Sequence, residues 1–363
     1  MKPLTTVLSL LLTLVCVFGQ SLAFGEKPVI IENGLAGKLD GKKIILKPIL
    51  TISASDEEDD TEKVFYRVND IQVDKYGHIY VVEEGSKRVQ KFDSTGAYLL
   101  TIGRSGQGPG EFQEPTKLQF DSEENIYVAD FKNGTITRFS QDGTYMDSFM
   151  PEQAIYDFVL STSDEIIILS SKQDYKFFKY DTAGNLISSF SEKIKAENWY
   201  DELIYNSGEL TTDNKGFLYF SYLQPYVIDI YDKDDILRRV IKKDIPQKII
   251  RPNTKIEKIE GYTKVSVNLY SKLSCSLVWH DGRIYHLVSD GQGIMQPGRY
   301  IDVFSELGEF LVRIDVEEPA RLMTIDQHGY IYLFHRYSNE PTRANPSGAS
   351  QRLPALRKYS ISW

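Results

Sequence analysis

The sequence predicts an all-β chain that folds as a six-bladed β-propeller of four-stranded antiparallel blades. Three observations lead to this prediction. One strand-turn-strand pattern recurs six times, most copies continue into two further strands, and no long amphipathic helix period separates the copies. Repeats spaced about 45 residues apart are typical of propellers, in which each blade supplies four strands. The aromatic content of 12%, mostly Tyr and Phe, also favours sheets.

The pattern is clearest in the second strand of each copy. These strands are rich in β-branched and aromatic residues, and each follows a short polar turn. Six such strands at a regular spacing predict six blades rather than two separate domains. The six second strands begin at His78, Asn125, Glu165, Phe217, Arg283 and Tyr330.

Third and fourth strands follow the second, and a turn that contains glycine usually joins them. The first example is Arg88–Phe92 followed by Tyr98–Ile102, with Gly96 in the turn. Glycine supplies the positive φ that such a hairpin turn needs. The fourth copy has Asp232, Lys233 and Asp234 at this place and no glycine, so we predict a different or looser turn there.

The last copy lacks a fourth strand. It has a first strand at 322–326, a second at 330–335 and a third at 356–362, and the sequence then stops at Trp363. A β-rich segment at 44–53 precedes the first full repeat and belongs to no copy. We predict that this segment completes the sixth blade, which closes the ring and removes an exposed sheet edge.

The first 23 residues have the features of a secretory signal peptide. An apolar run at 8–18 is followed by Ser21 and Ala23, which are small residues at the two positions that a signal peptidase reads. Lipoprotein anchoring at Cys16 fits less well, because Val15 stands where a small residue is expected. We therefore expect a secreted or periplasmic mature chain, residues 24–363, that forms one propeller domain without a transmembrane segment.

Charge and cysteine content exclude some partners. The net charge of −9 disfavours nucleic-acid binding, which needs a basic surface. After cleavage Cys275 is the only cysteine, so the core must hold the fold without an internal disulfide. We expect a monomer with no nucleic-acid partner.

Residues 65–149 resemble the NHL repeat family. DIQVDKYGHIYVVEEGSKRVQKFDSTGAYLLTIG, starting at Asp70, is similar to one repeat, and GRSGQGPGEFQEPTKLQFDSEENIYVAD, starting at Gly103, continues into a second. The later copies match only the strand pattern, while the whole chain resembles the bacterial exported six-bladed type. The resemblance implies a propeller whose relatives are mostly binding platforms, with a minority of lyases and lactonases on related scaffolds.

Propeller connectivity separates two sets of loops onto opposite faces. The loops between first and second strands, and between third and fourth strands, are short; we name their side the turn face. The loops between second and third strands, and between blades, carry every long insertion; we name their side the long-loop face. Because long loops are disproportionately functional, we predict that the long-loop face binds a partner. The insertions are 103–115, 191–210, 242–272, 289–299 and 336–354.

Alignment of the six first strands on their turns places charged residues at the mouth of the central channel. Convergent charges there would bind a cation, a polar ligand or a basic peptide end, or would neutralise each other and close the channel. Cys275 and Leu322 occupy the two remaining equivalent positions. The candidate ligand-binding residues are Asp70, Lys117, Asp157 and Glu209, with Arg104 and Arg321 expected to reach the same mouth.

The same carboxylates define the alternative function. Asp70, Asp157 and Glu209 are the candidate metal ligands, since Ca²⁺ accepts carboxylates from scattered positions. The five histidines lack zinc-ligand spacing and no G-x-S-x-G motif occurs, so we assign no catalytic residue and expect no obligatory cofactor. The sequence favours an exported, non-catalytic propeller that binds a protein, peptide or glycan. The alternative is a metal-assisted, lyase- or lactonase-like enzyme.

Overall fold

The chain forms an all-β ring of six blades, as predicted. The computed structural model describes residues 27–42, 44–53, 65–170, 174–245, 254–259, 262–267, 274–290, 296–335 and 354–362. The predicted signal peptide and nearly all of the insertion at 336–354 lie outside these residues. Within the described ranges, no helix has the length and apolar character needed to cross a bilayer.

Blades 1 to 3 are four-stranded and antiparallel, with the strands in sequence order across each sheet. Blade 1 consists of Val68–Val73, Ile79–Glu83, Arg88–Phe92 and Tyr98–Ile102. Blade 2 consists of Pro115–Phe120, Ile126–Asp130, Thr135–Phe139 and Tyr145–Phe149. Blade 3 consists of Asp157–Leu160, Ile166–Leu169, Tyr175–Tyr180 and Leu186–Glu192.

Blades 4 to 6 keep the antiparallel order, and blades 4 and 6 each take one strand from the N-terminal region. Blade 4 consists of Gly208–Thr212, Leu218–Tyr222, Val227–Tyr231 and Leu237–Lys243. Blade 5 consists of Ser274–His280, Arg283–Val288, Gly298–Ser305 and Phe310–Ala320. Blade 6 consists of Leu322–Ile325, Ile331–His335, Ala355–Ser362 and Ile45–Ile52.

The predicted closure of the sixth blade is confirmed. The strand Ile45–Ile52 pairs antiparallel with Ala355–Ser362, from Ile45 opposite Ser362 to Ile52 opposite Leu356. The last sheet is therefore completed by a strand that lies some 300 residues earlier in the sequence.

The N-terminal region also crosses two earlier blades, which the sequence analysis did not predict. Val29–Asn33 adds a parallel fifth strand to the outer edge of blade 4. The backbone N–H groups of Lys38 and Leu39 then donate to the carbonyl oxygens of Phe310 and Leu311 in blade 5, at 3.1 and 2.8 Å. Residues 29–52 therefore form an N-terminal strap across the outer edges of blades 4, 5 and 6.

The insertions contain little further regular structure in their described parts. They include the parallel pair Arg104–Ser105 and Glu111–Phe112, the antiparallel hairpin Thr254–Ile259 and Tyr262–Val267, and the helix Trp199–Tyr205. The side chain of Asn198 caps this helix by accepting the backbone N–H groups of Tyr200 and Asp201.

The core lies between neighbouring blades rather than inside one. Tyr80, Val82 and Val89 of blade 1, for example, are fully buried against Leu118 and Val128 of blade 2. A blade has two apolar faces and gains stability only when both are covered, at about 25 cal/mol per Å² of apolar surface buried. Each blade therefore depends on its two neighbours.

The turns from first to second strands in blades 1, 4 and 6 share one hydrogen-bonding arrangement. In blade 1, Asp74 Oδ1 accepts the backbone N–H groups of Tyr76 and His78, at 2.9 and 2.8 Å, and its Oδ2 accepts the hydroxyl of Tyr80 at 3.2 Å. Asp213 in blade 4 and Asp326 in blade 6 make the equivalent bonds. One carboxylate thus accepts hydrogen bonds from both the turn backbone and a buried tyrosine hydroxyl.

The turn without glycine in blade 4 has the ordinary geometry, so the prediction of a different turn was wrong. Asp235 adopts a positive φ of 64°, and its N–H donates to Asp232 O at 3.0 Å, as the N–H of Gly96 donates to Asp93 O in blade 1. The Asp235 carboxylate lies 2.5 Å from Lys179 Nζ and accepts the Ser188 hydroxyl at 2.9 Å, both in blade 3. Asp tolerates this backbone region better than most residues do, and its side chain here connects two blades.

We expect Asp235→Asn and Asp235→Gly to destabilise the chain, although asparagine and glycine both suit the turn. The Lys179 side chain is only 8% exposed and would lose its closest carboxylate, leaving Glu165 at 3.9 Å. The loss should be about 2 kcal/mol in urea unfolding, since removal of one partner leaves a buried charge poorly compensated. The double variant Asp235→Gly, Lys179→Met should recover most of the lost free energy of unfolding, because the buried charge is then absent. A glycine variant more stable than the native chain would contradict this assignment.

Candidate functional site

Four of the six predicted residues meet at the mouth of the channel on the long-loop face. Asp70, Lys117, Asp157 and Glu209 lie on the first strands of blades 1, 2, 3 and 4, and we name them the mouth cluster. Their side chains converge because first strands line the axis of a propeller and the four positions are equivalent in register. Four consecutive blades therefore each contribute one charged side chain to one place.

Lys117 is the centre of the mouth cluster. Its Nζ lies 3.2 Å from Glu209 Oε2 and 3.6 Å from Asp157 Oδ1. The Lys117 side chain is 20% exposed and the Asp157 side chain 4%. One ammonium group thus pairs with carboxylates from two other blades in a largely dehydrated position.

The two aspartates also join blades through the backbone. Asp70 Oδ2 accepts the N–H of Leu118 at 2.9 Å, and Asp157 Oδ2 accepts the N–H of Leu210 at 3.0 Å. These bonds connect blade 1 to blade 2 and blade 3 to blade 4. The mouth cluster is therefore part of the ring's inner structure as well as its surface.

Burial controls the ionisation of the mouth cluster. Burial raises the pKa of Asp157 to about 7, and the Lys117 ammonium opposes this rise. Burial likewise raises the pKa of Asp70, again opposed by Lys117. Burial alone would lower the pKa of Lys117, but Asp157, Glu209 and Asp70 outweigh it and hold that pKa well above its ordinary value. Lys117 therefore stays charged, while Asp157 changes its protonation near neutral pH.

A cavity of about 160 Å³ is lined by Lys117 and Glu209 of the mouth cluster, while Asp70 and Asp157 are buried and are not among its lining residues. Arg321, Cys275 and Leu322 also line it. Polar groups that the sequence did not reveal complete the lining, namely Asn69 and Gln296. We name this space the mouth cavity.

Arg104 is not among the residues that line the mouth cavity, so its assignment to the mouth is not supported. Its Nε donates to Glu111 Oε1 at 2.9 Å within the glycine-rich insertion, and its side chain is 81% exposed. The insertion itself is held by Asp130, whose carboxylate accepts the backbone N–H groups of Gln113 and Glu114. Arg104 is thus paired with Glu111, seven residues away in the same loop.

The predicted metal ligands surround an ammonium group. Lys117 Nζ lies between Asp157 and Glu209, where a bound cation would lie. In the described part of the chain, no group of three or more His, Cys, Asp or Glu side chains is arranged to hold a metal ion. The Lys117 ammonium thus occupies the space between two of the carboxylates that were predicted as metal ligands.

A buried serine-histidine pair was missed by the sequence analysis. Ser274 Oγ lies 2.9 Å from His286 Nε2 and 2.7 Å from Ser221 Oγ, and the three side chains are at most 1% exposed. Burial lowers the pKa of His286 to about 4. Because a nucleophile must reach its substrate, this pair is a polar connection between blades 4 and 5 and not a catalytic centre.

On the turn face, contacts join the neighbouring turns of blades 6, 1, 2 and 3, while a cavity of about 400 Å³ lined by His280 and His328 lies between the turns of blades 5 and 6. Gln327 Nε2 of blade 6 donates to Lys75 O of blade 1 at 2.5 Å, and Lys75 N donates to Glu124 Oε2 of blade 2 at 3.3 Å. Ser122 of blade 2 donates its N–H and its hydroxyl to the Asp164 carboxylate of blade 3, at 2.9 and 2.6 Å. These polar side chains are engaged in holding the ring.

Comparison with known proteins gives the family and the fold. A family model described as 6-bladed beta-propeller, DUF5128, matches residues 59–270. No curated protein matches the sequence.

Three solved structures illustrate the likeness in fold. A Bacteroides fragilis protein inferred to be exported is 9% identical, with 93% of this chain and 100% of that chain covered and a TM-score of 0.60. A Staphylococcus aureus virginiamycin B lyase is 10% identical, with 88% and 99% covered and a TM-score of 0.52. A Xanthomonas campestris gluconolactonase is 10% identical, with 82% and 87% covered and a TM-score of 0.51. At these identities the likeness shows the fold alone.

The raised pKa of Asp157 predicts a pH dependence of stability. The folded chain holds this proton more tightly than the unfolded chain, so the free energy of unfolding should fall as pH rises from about 4 to about 7. Asp157→Asn should reduce this fall by about 2 kcal/mol, since each pKa unit corresponds to about 1.4 kcal/mol. Urea unfolding at pH 5 and pH 8 measures the effect.

Asp93→Asn is the matched control for this measurement. The Thr95 hydroxyl lowers the pKa of Asp93 in an exposed turn, so this variant should not reduce the fall. An equal fall in the native chain and in Asp157→Asn would contradict the assignment.

Proposed function

The chain belongs to the DUF5128 family of six-bladed β-propellers, and from this premise we propose that it is an exported, non-catalytic binding module. Its long-loop face presents a binding site to a protein, peptide or glycan, and the mouth cluster recognises a polar group of that ligand. Export to the periplasm or beyond, and the NHL type of the repeats, are parts of this proposal. They rest on the first 23 residues and on the resemblance of residues 65–149.

The observation that carries the proposal is the convergence of four charged side chains beneath the mouth cavity. Each belongs to a different blade, so the ring fixes their positions before a ligand arrives. Preorganised polar groups at the bottom of a cavity lose little freedom on binding and discriminate by hydrogen bonding. The ion pair between Lys117 and Glu209 at 3.2 Å offers both an ammonium donor and a carboxylate acceptor to such a ligand.

The difference between the faces supports the same proposal. The described turn face uses its polar side chains in contacts between blades, such as those of Ser122 with Asp164. The long-loop face carries the mouth cavity and the exposed aromatic side chains of Tyr66 and Trp199. Exposed aromatic residues are enriched at binding surfaces.

A metal-assisted enzyme is the second candidate, and the mouth cluster favours it less. Lyases and lactonases occur among the proteins of similar fold. In this chain Lys117 already compensates the carboxylates that such an enzyme would offer to a divalent cation. The arrangement of Asp70, Asp157 and Glu209 around an ammonium group fits recognition rather than metal-assisted turnover.

Binding to peptide and glycan arrays tests the proposal with matched variants of the mature chain, residues 24–363. Glu209→Gln changes one mouth side chain without changing its shape, whereas Glu306→Gln makes the same change at a turn-face pair with Lys215. A ligand of the native chain should lose about tenfold in affinity with Glu209→Gln, the typical effect of a lost charge-assisted hydrogen bond. Glu306→Gln should bind normally.

Two results would overturn the proposed function. One is a ligand whose affinity falls with Glu306→Gln but not with Glu209→Gln, which would place the site on the turn face. The other is catalytic turnover of an array ligand that is abolished by Glu209→Gln, which would assign the mouth cluster to an enzyme.

A further inference from the structure

A second and larger cavity opens between blades 6 and 1. Its volume is about 390 Å³, within the range of small-molecule sites in proteins. Phe65, Val68, Phe334 and Pro354 supply apolar walls. We name it the blade 6–1 cleft.

The apolar wall of the blade 6–1 cleft is rigid. Phe65 is 4% exposed and makes edge-to-face contacts with Phe92 and Phe334, with ring centroids 6.1 and 5.9 Å apart. Phe65 and Phe334 are 4% and 2% exposed and lie behind the cleft, so the aromatic surface that a ligand can reach belongs to Tyr66, which also lines the cleft and is 58% exposed. A flat or extended apolar ligand would therefore pack against Tyr66.

The charged residues of the blade 6–1 cleft are all basic. Arg67 and Arg321 line it, and no carboxylate is found among its described lining residues, although the chain has a net charge of −9. Arg67 NH1 lies 2.8 Å from Glu84 Oε1, but the Arg67 side chain is 67% exposed. The Glu84 side chain is only 15% exposed, so this ion pair stays in place, and a ligand carboxylate would bind the guanidinium N–H groups on the exposed side of Arg67.

The backbone holds Arg67 in a conformation that is uncommon for arginine. Its φ is 53°, and its carbonyl oxygen accepts the N–H of Glu84 at 3.0 Å. A residue other than glycine in the left-handed region persists only where its surroundings fix it, and such positions are frequent at functional sites. The backbone at the start of blade 1 thus places Arg67 at the edge of the cleft.

The blade 6–1 cleft and the mouth cavity are neighbours. Val68 and Arg321 line both spaces. A ligand that fills the cleft therefore contacts Arg321, which also lines the mouth cavity. The two cavities form one groove with an apolar, basic end and a polar end.

We propose that the blade 6–1 cleft binds an aryl or alkyl carboxylate, with the apolar body against Tyr66 and Pro354 and the carboxylate at Arg67 and Arg321. The proposal deepens the proposed function by naming a ligand class, and it rests on that function only in assigning binding to the long-loop face. Arginine matches a carboxylate with two parallel hydrogen bonds, which neutral and cationic ligands of the same shape cannot accept.

Three probes with the same body test the charge preference: 3-phenylpropanoate, 3-phenylpropanamide and 3-phenylpropylamine. Calorimetric or NMR titration of the mature chain should show the carboxylate binding at least about tenfold more tightly than the other two. Arg67→Asn should weaken the carboxylate by about tenfold while keeping the backbone geometry, because asparagine tolerates a positive φ. Arg321→Met should act in the same direction.

Two further variants locate the site. Ser86→Trp should abolish binding by filling the blade 6–1 cleft, because Ser86 lines it. Arg138→Met is the control, since Arg138 pairs with Asp147 on the outer strands of blade 2 and should leave binding unchanged.

Glu209→Gln separates this proposal from the proposed function. Carboxylate binding that survives Glu209→Gln but is lost with Arg67→Asn and Ser86→Trp supports the cleft site, whatever the arrays show for the mouth. Equal binding of the amine and the carboxylate would overturn the proposal. Carboxylate binding that is unchanged by Arg67→Asn and Ser86→Trp would also overturn it.

Discussion

Closure of the ring is the constraint on which the rest of this structure depends. A blade buries its two apolar faces only between neighbours, so a ring with an incomplete sixth blade would leave core side chains in water. The strand Ile45–Ile52 provides the last outer strand through seven residue pairs with Ala355–Ser362. The N-terminal strap that carries it also covers the edges of blades 4 and 5. The first and last described segments of the chain thus hold each other in place.

Closure also positions the charged groups at the centre. Six first strands that meet around one axis bring equivalent positions together, and in four blades those positions hold Asp70, Lys117, Asp157 and Glu209. The stability of the closed ring offsets the cost of partly dehydrating these side chains. The positive charge of Lys117 compensates the negative charges of the carboxylates. Asp70 and Asp157 also accept hydrogen bonds from the backbone of the next blade, which offsets part of the cost of burying them. The same residues therefore support the fold and define the polar end of the groove.

Much of this was predictable from sequence because a repeat transfers register from one copy to the next. The turns fixed the alignment of first strands, so the mouth cluster followed without knowledge of contacts. The position of Arg104 could not be predicted in this way, because its hydrogen-bond acceptor, Glu111, lies in its own loop. Asp235 showed that a carboxylate can replace a turn glycine when the neighbouring blade offers Lys179. The blade 6–1 cleft was not predictable, because Phe65 and Phe334 meet only when the ring closes.

The central claim is that Lys117 makes the mouth a recognition site by occupying the place of a cation, and its replacement tests this most directly. Thermal unfolding of the native chain and of Lys117→Met should be followed with and without Ca²⁺, with Lys215→Met on the turn face as the control. The account predicts that Lys117→Met unfolds at a lower temperature and that Ca²⁺ restores stability to this variant alone, since calcium would then compensate the freed carboxylates. Stabilisation of the native chain by Ca²⁺, with Lys117 in place, would contradict it and make the mouth a metal site.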